Sequence, residues 1–153
     1  MLTTSEHEEI SILLVEDDPL DLEMSLRALN GDHIKNRIVV ARDGEEALDF
    51  LFCRGPFSDR PLASQPKLVL LDLKLPKVDG LEVLRELRAT PQTHSIPVVI
   101  LTSSSEQKDI VETYKLGVNS YIQKPVDSNQ FRDTVKTLGF YWVVVNRPPP
   151  VEG

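Results

Sequence analysis

Three short apolar runs in this chain each end on a polar residue. Ile12-Leu13-Leu14-Val15 runs into Glu16-Asp17, Leu68-Val69-Leu70-Leu71 into Asp72, and Pro97-Val98-Val99-Ile100-Leu101 into Thr102. Unbroken Leu, Ile and Val runs suit strands covered on both faces, as at the centre of a parallel sheet. The spacing predicts strands at 11–16, 37–41, 67–72, 96–102 and 119–123. Helical patterns fall between them. The first, about 18–30, puts Leu22, Leu26 and Leu29 on one face and stops at Asn30-Gly31. Asp43 caps a second, which turns Ala47, Leu48 and Leu51 inward. A third runs over 80–89 and ends before Pro91, a fourth over 106–116 ends at Gly117, and a fifth begins near Asp127. Strands alternating with helices predict an α/β fold with a parallel sheet.

Two segments depart from this rhythm. Arg54 to Gln65 carries Gly55, Pro56, Ser58, Pro61 and Ser64 and is long for a helix-to-strand connection, so it is either mobile or a partner surface, with a tolerated surface insertion as the plainer and preferred reading. The ending is unusually apolar. From 127 onward Phe131, Val135, Leu138, Trp142 and Val145 form one helical seam, with Phe140 and Val144 as a second ridge. The β-branched run at 143–145 also suits an edge strand, but the spacing favours a helix. One sheet face cannot cover both ridges, so the excess points to a partner.

The chemistry gathers at the ends of the strands. Open α/β sheets bind ligands at their carboxyl edge. Parallel neighbouring strands would bring Glu16, Asp17, Asp72 and Thr102 together there, and Lys124, after Tyr121-Ile122-Gln123, would join them. Three carboxylates at one edge repel each other unless a divalent cation neutralises them, and an all-oxygen set suits Mg²⁺. Acids after strands can instead merely cap the helices that follow. Asp18, standing before Pro19, fits that role.

Val15-Glu16-Asp17-Asp18, Leu71-Asp72-Leu73-Lys74-Leu75-Pro76, Asp79-Gly80-Leu81-Glu82-Val83-Leu84, Val99-Ile100-Leu101-Thr102-Ser103 and Lys124-Pro125 follow one another in this order. Together they resemble the receiver domain of two-component response regulators, over roughly residues 10 to 138. The resemblance implies a doubly wound five-stranded sheet of order 2-1-3-4-5 with helices on both faces. It implies Asp72 as phosphoacceptor for a sensor histidine kinase. Mg²⁺ would be held by Asp17, Asp72 and the backbone carbonyl of Lys74, with Glu16 acting mostly through water. Lys124 and Thr102 would meet the phosphoryl oxygens, with the Lys124–Pro125 bond cis. Thr102 and Tyr121 would form the output switch. Lys74 and Ser103 stand where they could tune the phosphoryl lifetime.

Composition narrows the class. Net charge is −7, from 24 acidic and 17 basic residues, which gives no basic surface for DNA. The single Cys53, in an apolar stretch, reads as a buried packing thiol in a reducing cytoplasm. Residues 1–9 are polar and unlike a signal peptide, and no run approaches a membrane span. His33, His94 and Met24 carry no functional signal. Residues 10–146 read as one domain, 1–9 as a flexible N-terminus and 147–153 as a Pro-rich tail.

The 28 residues after Pro125 leave no room for an effector domain, so a stand-alone receiver signalling through protein contacts is expected. The long loop and apolar ending are similar to the small response regulators paired with bacterial phytochromes. A homodimer built on helix 4, strand 5, helix 5 and the ending, with Phe140, Trp142 and Val144 as anchors, is expected. A haloacid-dehalogenase-type phosphatase would need an acid two residues past its nucleophile, where Lys74 stands. A nucleotide or flavin module would need a Gly-rich loop after strand 1, where Glu16-Asp17-Asp18-Pro19 stands. An unphosphorylated adaptor on the same scaffold would have no use for the full acceptor set.

Overall fold

The structure, a computed structural model, describes residues 10–30 and 37–150. The N-terminus 1–9, Gly31, His33 and residues 151–153 lie outside the described residues. The elements are β1 (Ile12–Val15), α1 (Pro19–Asn30), β2 (Ile38–Ala41), α2 (Gly44–Leu51), β3 (Leu68–Leu71), α3 (Gly80–Ala89), β4 (Val98–Thr102), α4 (Gln107–Lys115), β5 (Ser120–Gln123) and α5 (Ser128–Phe140). The strands form one parallel sheet in the order β2-β1-β3-β4-β5.

Why the central strands read as solid apolar runs is visible in the two cores. Leu13, Val15, Val69, Leu71, Val98 and Ile100 point to the face covered by α2 and α3. Ile12, Leu14, Leu68, Leu70, Val99 and Leu101 point to the face covered by α1 and α5. With side chains alternating along each strand, a sheet covered on both sides needs apolar residues at every position. The register then places the polar residues. Val15 pairs with Leu71 and Leu71 with Ile100, so Glu16, Asp72 and the end of β4 leave the sheet side by side.

Capping matches the sequence. Asp43 accepts from the Glu46 amide at 2.7 Å, Asp79 from Glu82 at 3.0 Å, and Asp127 from Asn129 at 2.7 Å. Leu22 and Leu29 are buried and Leu26 packs partly on the same core. At the opposite, amino edge of the sheet, Arg88 of α3 makes five hydrogen bonds. Nε donates to the Leu116 carbonyl, Nη1 to those of His94 and Ile96, and Nη2 to the Gly117 carbonyl and Asn119 Oδ1. It ties α3 to the segments that enter β4 and β5.

Several expectations need correcting. No peptide bond among the described residues is cis, so Lys124–Pro125 is trans. Trans is the lower-energy isomer even before proline, and Lys124 reaches the strand ends from it. Cys53 is half-buried, not buried, because the chain leaves α2 there with φ +56°. The 54–65 segment is pinned rather than loose. Phe57 stacks edge-on against Phe50, the Arg60 guanidinium lies 3.9 Å over the Phe50 ring, and Gln65 Nε2 donates to the Leu51 carbonyl at 2.9 Å.

The ending is helical, as its spacing indicates, but α5 passes into a π turn over Tyr141–Val145, closed by Asn146 N–H donating to the Tyr141 carbonyl. The wider turn rotates the register. Trp142 and Val143 lean on the α1–α5 core, while Val145, expected on the seam, is half exposed.

Candidate functional site

The site residues gather at the carboxyl ends of β1, β3, β4 and β5 and in the first turn of α1. Asp72 follows β3, and its amide donates to the Val15 carbonyl, which fixes its backbone in the sheet. Its carboxylate is almost fully buried. Oδ1 accepts from Thr102 Oγ1 at 2.8 Å and from the Lys74 amide at 3.1 Å, and Oδ2 accepts from Lys124 Nζ at 2.9 Å. Behind it, α3 starts at Gly80, where a Cβ would lie 2.2 Å from the Asp72 carbonyl oxygen. Only glycine permits that approach.

Lys124 comes from the end of β5, where its amide donates to the Thr102 carbonyl at 2.7 Å. The ammonium lies 2.7 Å from Glu16 Oε1, 2.8 Å from Asp21 Oδ2 and 2.9 Å from Asp72 Oδ2. Burial disfavours its charge, but the three carboxylates outweigh that and hold it well above the ordinary lysine range. Glu16, buried at the end of β1, is pushed up to about 7. Burial is the main cause and Asp72 adds repulsion, while Lys124 and the Asp18 amide pull the other way.

Glu16, Asp17 and Asp72 each offer a carboxylate oxygen within 4.8 Å of the others. Glu16 and Asp72 are buried and Asp17 is exposed, so the set opens to solvent on one side. All-oxygen donors around an open position fit a hard divalent cation that keeps water ligands. An open cleft of about 380 Å³ adjoins it, lined by Asp17, Lys74, Leu75, Pro76, Asp79 and Asp109.

A second network leads away from Thr102. The Ser104 amide points at Thr102 Oγ1 at 3.4 Å, and Ser104 Oγ donates to Asp109 Oδ2 of α4 at 2.6 Å. Tyr121 hydroxyl donates to the Ser104 carbonyl at 2.9 Å. Burial pushes this phenol above its ordinary range, and nearby acids add to the shift.

The sequence-predicted residues Glu16, Asp17, Asp72, Thr102 and Lys124 therefore meet at one sheet edge, with Lys74 beside them through its backbone and Tyr121 two hydrogen bonds beyond Thr102, by way of Ser104. The Lys74 side chain is exposed. Phe140, Trp142 and Val144 do not join the cluster and sit on the helical ending. Sequence reasoning missed Asp21 and Asp109. Asp21 stands in the first turn of α1, three residues after Asp18, whose carboxylate accepts from its amide.

The profile of the response regulator receiver domain matches residues 12–136. Response regulator Rcp1 of Synechocystis sp. (strain ATCC 27184 / PCC 6803 / Kazusa) is 37% identical over 132 residues, 86% of this chain and 88% of that protein. A crystal structure of Mn²⁺-bound response regulator Rcp1 aligns with a TM-score of 0.85 at 36% identity, covering 92% of this chain and 99% of that one. The phosphorylated cyanobacterial phytochrome response regulator RcpA aligns with a TM-score of 0.86 at 38% identity, covering 94% and 100%. The bacteriophytochrome response regulator AtBRR aligns at 0.71 with 51% identity, covering 92% and 99%.

Proposed function

The chain belongs to the response regulator receiver domain family, and from that premise we propose that it accepts a phosphoryl group from the phosphohistidine of a sensor histidine kinase onto Asp72. The observation that carries this is the grip on Asp72. One carboxylate oxygen is held by Thr102 and the Lys74 amide, the other by Lys124, at the open carboxyl edge of the sheet. A carboxylate oxygen attacks phosphorus, the donor's P–N bond breaks and the new P–O bond forms an aspartyl phosphate. Lys124 stays protonated and offers positive charge to a phosphoryl oxygen. Thr102 turns its hydroxyl toward another, and Ser104 and Tyr121 pass that movement to α4 and β5.

Glu16, Asp17 and Asp72, with the Lys74 carbonyl, would hold the divalent cation, for which Mg²⁺ is the choice. When bound it neutralises charge on the phosphoryl oxygens.

The kinase is of the phytochrome type, a reading supported by the likeness to RcpA and AtBRR. Output is contact with protein in the cytoplasm, and a net charge of −7 argues against DNA as the target. A homodimer would use α4, β5, α5 and the ending. Val111 and Tyr114 on α4 and Phe140, Tyr141 and Val144 on the ending are each about half exposed. A few such side chains buried in a symmetric pair supply the anchors a stable interface needs.

Intact mass after incubation with acetyl phosphate and Mg²⁺ tests the acceptor. One phosphoryl adduct is expected, absent from Asp72→Asn, and an adduct of equal yield on that variant ends the assignment. Light scattering on the same sample tests the pairing. The doubly charged variant Phe140→Asp, Val144→Asp is expected to run as a monomer where the parent runs as a dimer.

A further inference from the structure

We propose that Asp21 is a positioning residue of the phosphoacceptor site, one that shares the Lys124 ammonium with Glu16 and Asp72 and so weakens its hold on the oxygens the divalent cation needs. The proposal rests on the phosphoacceptor reading above and names a residue that reading does not use.

An ammonium has three N–H donors. All three of Lys124 are taken, by Glu16, Asp21 and Asp72, at 2.7–2.9 Å. Glu16 and Asp72 also belong to the carboxylate cluster that fits a cation, and Asp21 does not. Lys124 and the cation thus compete for the same two acids, and Asp21 alone binds the lysine without binding its rival.

Asp21 is built for a fixed position. It lies in the first turn of α1, where its amide donates to Asp18 Oδ2 at 2.9 Å, and Leu22 N–H donates to the Asp18 carbonyl at 2.9 Å. The cap sets the helix start, and the helix start aims the carboxylate at Lys124. Its side chain is 22% exposed against 9% for Lys124 and 4% for Glu16, so it holds the ammonium from the solvent side. Without its charge the third N–H has no acid, and the Lys124 ammonium bears on Glu16 and Asp72 alone. The local charge also becomes less negative by one unit, which weakens attraction for a divalent ion.

Asp21→Asn keeps the shape and removes the charge. Titration with Mn²⁺ or Mg²⁺ is expected to show about tenfold weaker binding in this variant, an order of magnitude set by one missing charge near a divalent ion. Asp21→Glu restores most of the affinity. Labelling by acetyl phosphate slows at low Mg²⁺ and returns near the parent rate at saturating Mg²⁺, a split that a general folding defect does not produce. In the metal-free protein, the ¹⁵N-edited NMR signal of the Lys124 ammonium, protected from water in the parent, exchanges faster in Asp21→Asn.

Metal affinity within twofold of the parent, an unchanged ammonium signal, or slow labelling that persists at saturating Mg²⁺ would each overturn the proposal. If the parent itself takes no label on Asp72, the phosphoacceptor reading fails. The metal titration and the ammonium signal still decide the role of Asp21.

Discussion

Two basic side chains, at opposite edges of one sheet, are each surrounded by oxygen atoms, and their surroundings differ in kind. Lys124 at the carboxyl edge faces three carboxylates. Arg88 at the amino edge faces four backbone carbonyls and one amide oxygen, all neutral. Burial works against both charges. At Lys124 the acids reverse it, while at Arg88 burial is the cause that prevails and lowers the guanidinium from its ordinary range. A guanidinium offers five donors in a rigid fork, so Arg88 fixes geometry. An ammonium is a compact charge with rotatable donors, so Lys124 can exchange one acid partner for a phosphoryl oxygen. The same sheet thus keeps one edge invariant and the other adjustable.

The sharpest way to break the comparison is to remove each cation. Lys124→Met is expected to lower phosphoryl incorporation at least about a hundredfold, as when a fixed donor to the reacting group is lost. It also leaves Glu16, Asp21 and Asp72 without their cation, a loss of roughly 3–5 kcal/mol in chemical denaturation that added Mg²⁺ partly restores. Arg88→Met leaves its acceptors unpaired and is expected to cost about 2–3 kcal/mol. Its Mg²⁺ affinity and labelling at 25 °C stay at parental levels. A large labelling defect in Arg88→Met would show that the two edges are not independent.

Proton linkage sharpens it further. Glu16 in the metal-free protein sits at about 7, above its ordinary 4.5. A carboxyl raised on folding contributes stability that is full below 4.5 and is lost as pH rises through about 7. Metal-free stability should therefore decline across that window, measured by urea denaturation at fixed ionic strength. Cation binding needs the ionised form, so affinity should rise between pH 6 and 8 with release of protons. Calorimetry in buffers of different ionisation enthalpy detects that release. No comparable pH dependence should follow from Arg88.

The smallest expected effect is at Tyr121→Phe, which removes the hydroxyl that donates to the Ser104 carbonyl. A loss of about 1 kcal/mol or less in thermal unfolding, with labelling within twofold, is expected. A tenfold labelling change would place Tyr121 within the chemistry rather than downstream of it.

The two edges also differ in how far the sequence discloses them. Glu16, Asp17, Asp72, Thr102 and Lys124 are legible because each stands at or within two residues of the carboxyl end of a strand, and strand register carries them to one place. Arg88 is silent, since its partners are mostly carbonyls from two connecting segments and a carbonyl has no letter of its own. Asp21 is hidden by ordinariness, because an acid in the first helical turn is favoured by the helix dipole alone. The helical ending is readable from its spacing. Its π turn is not, because one extra residue per turn leaves the composition unchanged while moving Val143 inward and Val145 outward. The 54–65 loop looks loose by its glycine and prolines, yet Arg60 and Gln65 anchor it through contacts that no local pattern announces.

Gly80 touches no reacting atom, yet a methyl group there would stand 2.2 Å from the Asp72 carbonyl oxygen. Neither partner is a flexible side chain, so the strand end or the helix start would have to shift. In a saturation scan scored by signalling output, position 80 should therefore be as intolerant as the acceptor itself. Scored by Mg²⁺ or phosphate contacts, it would be invisible. Ranking positions by functional loss alone would enrol this glycine among the reactive residues, when its role is that of a spacer gauge set behind them.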